Sequence, residues 1–298
     1  MRRRRGAPPM HTVTDLRGRL VDIGDPDLAE HVAWMRLRRL SAATVRLRVT
    51  AARSVLRHAG RPAAEVTADD LDGWQRTLAV CDSSRASYVS QLRCLCGWMV
   101  EHGVRADDPS TVLVVPRLPR RMPRPIGEDD LELALASAPE RIAPWLELAS
   151  FAGLRAAEIA ALRRDDVRES VDPPVLLVHG KGNRERVVPL APRVLDALRR
   201  HGMPDRGWVF RRMDGGSGPN LPGTVSALSA EHLRGLGIPA TLHQLRHRFA
   251  TQLYQRSRDI RLLQDILGHS SPATSALYAA WAPAAAEHVM SLGRRRAS

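Results

Sequence analysis

From Pro26 onward, apolar residues recur at the three-to-four spacing of amphipathic helices. A first helix is expected over about Asp27–Arg39. Ser41 then stands as an N-cap ahead of Thr44, Val45, Leu47, Val55 and Leu56, in a second helix that ends near Gly60. Thr67 caps a third through Leu71, Trp74 and Leu78. Ser83 or Ser84 opens a fourth, carrying Tyr88, Val89, Leu92, Leu95, Trp98 and Met99 before Gly103 stops it. Four short helices over residues 26–107 form a small all-α domain. The pattern fails over 108–125. There Pro109, Pro116, Pro119, Pro123 and Pro125 oppose regular structure, and Arg117, Arg120, Arg121 and Arg124 make the segment a cationic linker. Residues 1–25, weakly patterned and rich in Arg, read as a flexible basic arm.

A second domain is expected over 126–282, followed by a C-terminal tail at 283–298. Gly127-Glu128-Asp129-Asp130 leads a helix through Leu131, Leu133 and Leu135, and another spans about Ile142–Ala152. Gly153-Leu154-Arg155 opens a further helix, to Leu162. The β-branched runs Val175–His179 and Arg186–Leu190 flank Gly180-Lys181-Gly182-Asn183, a hairpin signature. A helix over 191–200, a short strand Trp208–Phe210 and a loop with Gly215, Gly216 and Gly218 follow. Helices then resume over about 222–236, 241–255 and 258–267, with a final pair at 272–280 and 284–292. The fold class is therefore mainly α with a small β-hairpin, an α+β second domain behind a four-helix first one.

Composition adds direction. At 298 residues, 44% apolar and 26% charged, the chain suits two globular domains. No apolar run approaches the roughly 18 residues of a membrane span. Arg2–Arg5 lead into Gly6, Pro8 and Pro9 without the apolar core of a secretory signal, so a cytoplasmic, nucleoid-associated protein is expected. The three cysteines, Cys81, Cys94 and Cys96, include no C-x-x-C pair, and neither a disulfide framework nor a metal site is expected. A net charge of +13 suits a polyanionic partner, nucleic acid first. Of 45 basic residues, 44 are arginine and only Lys181 is lysine. An ammonium can be tuned to give up a proton and a guanidinium cannot, so the lone lysine, set in a Gly-Lys-Gly turn, is a candidate for chemistry.

The densest pattern is Thr241-Leu242-His243-Gln244-Leu245-Arg246-His247-Arg248-Phe249. His243 and Arg246, three apart, share a helix face, while Leu242, Leu245 and Phe249 mark the buried side. Leu267-Gly268-His269 follows, then Ser271-Pro272 as a helix start, with Tyr278 on that helix. Each feature alone has a plain reading: Arg155 a surface cation, Lys181 a turn residue, His269 a helix cap, Tyr278 a core aromatic. Together they resemble the tyrosine recombinase family of phage integrases and Xer-type recombinases. His243-x-x-Arg246-His247, Leu267-Gly268-His269 and Tyr278 nine residues beyond are similar to its C-terminal signature. Gly153-Leu154-Arg155-Ala156-Ala157-Glu158 resembles its first arginine motif, and His179–Leu190 its lysine hairpin. The helical segment with Leu40-Ser41-Ala42-Ala43-Thr44 resembles its SAM-like core-DNA-binding domain.

The resemblance implies a phosphodiester cut and resealed without metal, ATP or another cofactor. Tyr278 attacks phosphorus to give a 3′-phosphotyrosyl bond and a 5′-hydroxyl; Arg155 and Arg246 hold the non-bridging oxygens. Lys181 is the general acid, His243 a general base or phosphate ligand, His269 a further donor, and Glu158 a brace behind the site. It also implies double-stranded DNA with a specific site, four protomers on two duplexes, a Holliday junction, a clamp-shaped grip, and room for accessory directionality or host factors. Candidate phosphate contacts are Arg46, Arg48, Arg53, Arg85, Arg93, Arg120, Arg121, Arg124 and Arg184. The tail beyond Tyr278 either packs on a neighbouring protomer, as in the family, or docks in cis. Two alternatives stay open: a type IB topoisomerase-like nicking and closing enzyme, and an inactive DNA-binding relative.

Overall fold

The computed structural model describes residues 12–14, 20–118, 125–180, 185–268 and 289–292, with side chains from residue 22 on. The chain divides into two compact units, Met1–Arg121 and Met122–Ser298.

In the first unit, β1 (Thr12–Thr14) and β2 (Leu20–Asp22) pair antiparallel, with Val13 opposite Val21. The arm expected to be flexible therefore carries a short hairpin. Four helices follow: α1 (Pro26–Leu37), α2 (Ala42–Ala59), α3 (Ala68–Thr77) and α4 (Asp82–Glu101). Their ends are fixed by local chemistry. Asp25 caps α1 through Leu28 N–H at 2.8 Å, and its other oxygen accepts from Ala63 N–H at 2.8 Å. Ser41 accepts from Thr44 N–H, and Gly60 ends α2 in the left-handed region. Thr67 and Asp70 form a reciprocal capping box. Cys81, not a serine, occupies the N-cap of α4. Two apolar clusters hold the helices, one around Val32, Met35, Val49, Trp98 and Met99, the other around Val55, Leu71, Trp74, Val89 and Leu92. The second cluster includes Leu113, preceded by a 3₁₀ turn at Pro109–Val112. Gln75 clasps Val114 through both backbone groups, at 2.7 and 2.9 Å. The start of the proline-rich segment is thus packed into the helical unit.

The second unit runs α5 (Glu128–Ala136), α6 (Ala143–Phe151), α7 (Ala156–Ala160), β3 (Val167–Arg168), β4 (Val175–His179), β5 (Glu185–Pro189), α8 (Pro192–His201), α9 (Pro222–Gly235), α10 (Leu242–Ser257) and α11 (Ile260–Leu267). The antiparallel sheet has the order β3-β4-β5; β3 extends the expected hairpin. Trp208 makes a single bridge to Arg163 in place of the expected strand. Helix α6 is buried on every side from Pro144 to Phe151, so it forms the centre against which α8 and α10 pack. Gly153 follows it at φ +65°, where a Cβ would lie 2.5 Å from the Phe249 ring of α10. Only glycine permits that approach. Residues 289–292 are helical, with Val289 and Leu292 in the core of their own unit and Arg256 donating to Ser291 Oγ at 2.8 Å.

Candidate active site

Three elements of the second unit converge on one carboxylate. Glu158, in the first turn of α7, accepts from Arg155 N–H at 2.8 Å, so the side chain that closes the helix start is also the centre of the site. Its Oε1 receives Arg155 Nη1 at 3.0 Å and Arg186 Nη1 at 2.8 Å. Its Oε2 receives Arg186 Nη2 at 2.8 Å and lies 3.7 Å from Arg246 Nη1. Arg155 comes from the α6–α7 corner, Arg186 from β5 and Arg246 from α10.

The C-terminal end of α11 completes the frame. Leu267 O accepts from Arg246 Nη2 at 2.9 Å and from Arg155 Nη1 at 3.4 Å, while Ile266 O accepts from Arg186 Nε at 2.7 Å. Arg246 Nη1 also donates to Gly153 O. Carbonyls at a helix end have no partner within the helix, so guanidiniums satisfy them well. Gly268 then turns the chain at φ +73°.

The electrostatics are unbalanced. Three guanidiniums surround one carboxylate, and the side chains of Arg186, Arg246 and Glu158 are only 7%, 6% and 5% exposed, against 41% for Arg155. Burial by itself raises the Glu158 pKa, but the hydrogen bonds and charge of Arg186, then Arg155 N–H and Arg246, hold it below the usual carboxylate range. Arg246 shows the opposite strain: burial, with Arg155 and Arg186 adding to it and Glu158 opposing, pushes it down to about 9. Excess buried positive charge of this kind is relieved by an added anion. On the exposed face of α10, His243 lies edge-on to His247 with ring centroids 4.4 Å apart. Burial, then His247, Arg246 and Arg155, lower its pKa, favouring the neutral imidazole.

Of the residues singled out in the sequence, Arg155, Glu158, His243 and Arg246 are brought together. Arg246 sits deeper than the solvent-facing position its pairing with His243 implied. On α10 it adjoins the Leu242, Leu245 and Phe249 stripe, and is 5% exposed. Lys181, Arg184, His269 and Tyr278 lie outside the described residues, as do Arg120, Arg121 and Arg124. In the first unit, Arg46 and Arg53, seven apart, share one face of α2, and Arg57 Nε donates to Arg53 O. Arg48 instead has a buried Nε without a hydrogen-bond partner, and its charge helps lower the pKa of the buried His31. Arg85 donates to Leu78 O and Arg93 to Leu113 O, which fixes both against their own unit.

Sequence reasoning gave Arg186 no role. The signal was present: an arginine in the run Arg186-Val187-Val188-Pro189, all four buried, requires a paired anion. The acid pair on His179 was also missed. Its ring lies 2.9 Å from an Asp166 oxygen and 3.0 Å from one of Glu185, its cross-strand partner. Among the described residues no three His, Cys, Asp or Glu side chains cluster as a metal site, and no helix is long and apolar enough to cross a membrane.

Residues 127–284 match the phage integrase family. Tyrosine recombinase XerD of Rhizobium meliloti (strain 1021) is 30% identical, with 76% of this chain and 80% of that protein covered. The integrase of mycobacterium phage Brujita is 27% identical at a TM-score of 0.52, covering 93% of this chain and 96% of that one. A lambda integrase tetramer bound to a Holliday junction shares the fold at a TM-score of 0.64 and 18% identity, covering 82% of this chain and 76% of that one. Arg155, Glu158, His243 and Arg246 all lie inside the matched segment, and the chain belongs to the phage integrase family of tyrosine recombinases.

Proposed function

We propose that this chain cuts and rejoins double-stranded DNA at a specific site through a 3′-phosphotyrosyl bond to Tyr278, without metal or ATP. The observation that carries the reading is the surplus of guanidinium over carboxylate at Arg155, Arg186, Arg246 and Glu158. A scissile phosphate supplies the missing negative charge. Arg155, the most exposed of the three, meets its non-bridging oxygens first, and Arg246 stands behind, oriented by Gly153 O and Leu267 O. Neutral His243 beside them accepts the tyrosine proton or donates to the phosphate. Lys181 protonates the departing 5′-oxygen and His269 adds a donor. The phosphotyrosine conserves the bond energy, so a 5′-hydroxyl from a second duplex reseals the strand. Exchange between two duplexes calls for four protomers and a Holliday junction, the arrangement named for the lambda integrase neighbour. The Arg46 and Arg53 face of α2 and the basic stretch around Arg120, Arg121 and Arg124 add phosphate contacts outside the site.

The test is a pool of nicked suicide duplexes with a randomised core, incubated with the full chain. Covalent adducts that survive detergent are captured and sequenced. Wild type yields an adduct on a convergent sequence and Tyr278→Phe yields none. An adduct retained in Tyr278→Phe, or no adduct from wild type on DNA flanking its own gene, refutes the reading. Strand transfer to a second duplex separates a recombinase from a nicking and closing enzyme.

A further inference from the structure

We propose that Arg186 is a positioning residue of this active site: it saturates Glu158 so that Arg155 and Arg246 remain available to the substrate anion. The inference rests on the phosphate-binding role given to those two arginines above.

The geometry is one of competition. Arg186 places Nη1 and Nη2 on separate oxygens of Glu158, each at 2.8 Å, the paired-fork arrangement that a guanidinium makes best. Arg155 and Arg246 approach the same two oxygens at 3.0 and 3.7 Å. A carboxylate enclosed to this degree draws in whatever cation is nearest. With Arg186 present, its charge is spent on a residue that does not face the substrate. Without it, the nearest cations are the two that the reaction needs.

Arg186 is also tied at its other edge. Nε donates to Ile266 O at 2.7 Å, one residue before the carbonyl that orients Arg246 and two before Gly268. A Cβ on Gly268 would come 3.1 Å from Arg186 Cδ, so the chain turns directly against this side chain. One guanidinium therefore links β5 to Glu158 of α7 and to the C-terminal end of α11. Replacing a whole buried ion pair by apolar side chains is often neutral or stabilising, whereas removing Arg186 alone leaves Glu158 buried with only Arg155 and Arg246 beside it. What an apolar side chain lacks is the ability to neutralise Glu158.

Positioning through Glu158 predicts a rescue that a merely structural role does not. On the suicide duplex recovered above, Arg186→Met is expected to slow cleavage at saturating DNA roughly 100-fold, as misplaced catalytic groups do. Duplex affinity, set by many other phosphate contacts, is expected to change by less than about twofold. Adding Glu158→Gln removes the competing charge and is expected to restore at least about tenfold of that rate. A double variant no faster than Arg186→Met overturns the proposal. Where Arg186→Met shows no cooperative melt, Arg186→Gln, which removes the charge but keeps a hydrogen-bonding side chain, carries the same comparison. A crystal structure of the single variant decides the question independently of DNA. Arg246 closing from 3.7 Å to hydrogen-bond distance on Glu158 supports the proposal, and Arg246 left where it stands refutes it. If wild type forms no adduct at all, the recombinase reading has failed, and the crystal structure still judges Arg186.

Discussion

Replacing Gly153 by alanine probes the join between the fold and the site. The residue has φ +65°, and its carbonyl orients Arg246 while its second neighbour is Arg155. Two costs follow from the structure. Holding an L-residue in the left-handed region costs about 1–2 kcal/mol. The new methyl would also sit 2.5 and 2.7 Å from two carbons of the Phe249 ring, which is fully buried and cannot swing away, and 3.3 Å from Leu267. Overpacking of this sort adds about 1–3 kcal/mol. The sum, about 2–5 kcal/mol, corresponds in a unit of this size to a fall in Tm on the order of 5–15 °C. Cleavage should fall further than stability alone explains, because relief of the clash moves Gly153 O or Leu267 O, both of which hold Arg246. The assay is thermal unfolding of the full chain, paired with adduct formation well below Tm. Phe249→Leu in a double-mutant cycle divides the two costs: it removes the clash and leaves the backbone cost. A Gly153→Ala protein melting within about 1 °C of wild type, with unchanged cleavage, would refute the reasoning.

Two further outcomes are expected. Lys181→Arg keeps the charge but cannot release a proton at accessible pH, so cleavage should fall by roughly 10²–10⁴. A duplex whose scissile 5′-oxygen is replaced by sulfur, which departs without protonation, should recover most of that loss, and equal loss on both duplexes would remove Lys181 as the acid. In the helical unit, His31 is fully buried between Trp34 and Trp98, and burial, with Arg48 and His102, pushes its pKa down to about 4. The unfolded imidazole takes its proton near 6.5, so the contribution is complete above that pH and is lost as pH falls towards 4. At pH 4.5 the loss is about 2.5 kcal/mol, read by urea unfolding at pH 7 and 4.5. His31→Phe should flatten that difference, and an unchanged pH slope would show that another group carries it.

The helices were written plainly in the chain. Ser41, Thr67 and Gly60 are local devices acting within a turn of their own position, and the apolar stripes of α2 and α10 need only a period to be recognised. The family motifs were equally plain, because motif order and spacing are properties of sequence. Three things were not. The Asp25 bond to Ala63 N–H and the clasp of Gln75 on Val114 span 38 and 39 residues, so the packing of the turn at 109–112 into the helical unit had no local sign. The depth of Arg246 depended on which neighbours closed over its side of α10. The pairing of Arg186 with Glu158 joins residues 28 apart from a strand and a helix, and only their packing brings the fork to the carboxylate. By itself the sequence determined the family and which residues are candidates for its chemistry, since motif order and spacing are properties of residue type and position. The tertiary structure decided which charges neutralise one another and which are left for a substrate, because Coulomb energy and desolvation depend on distance and burial, and neither is a property of position along a chain.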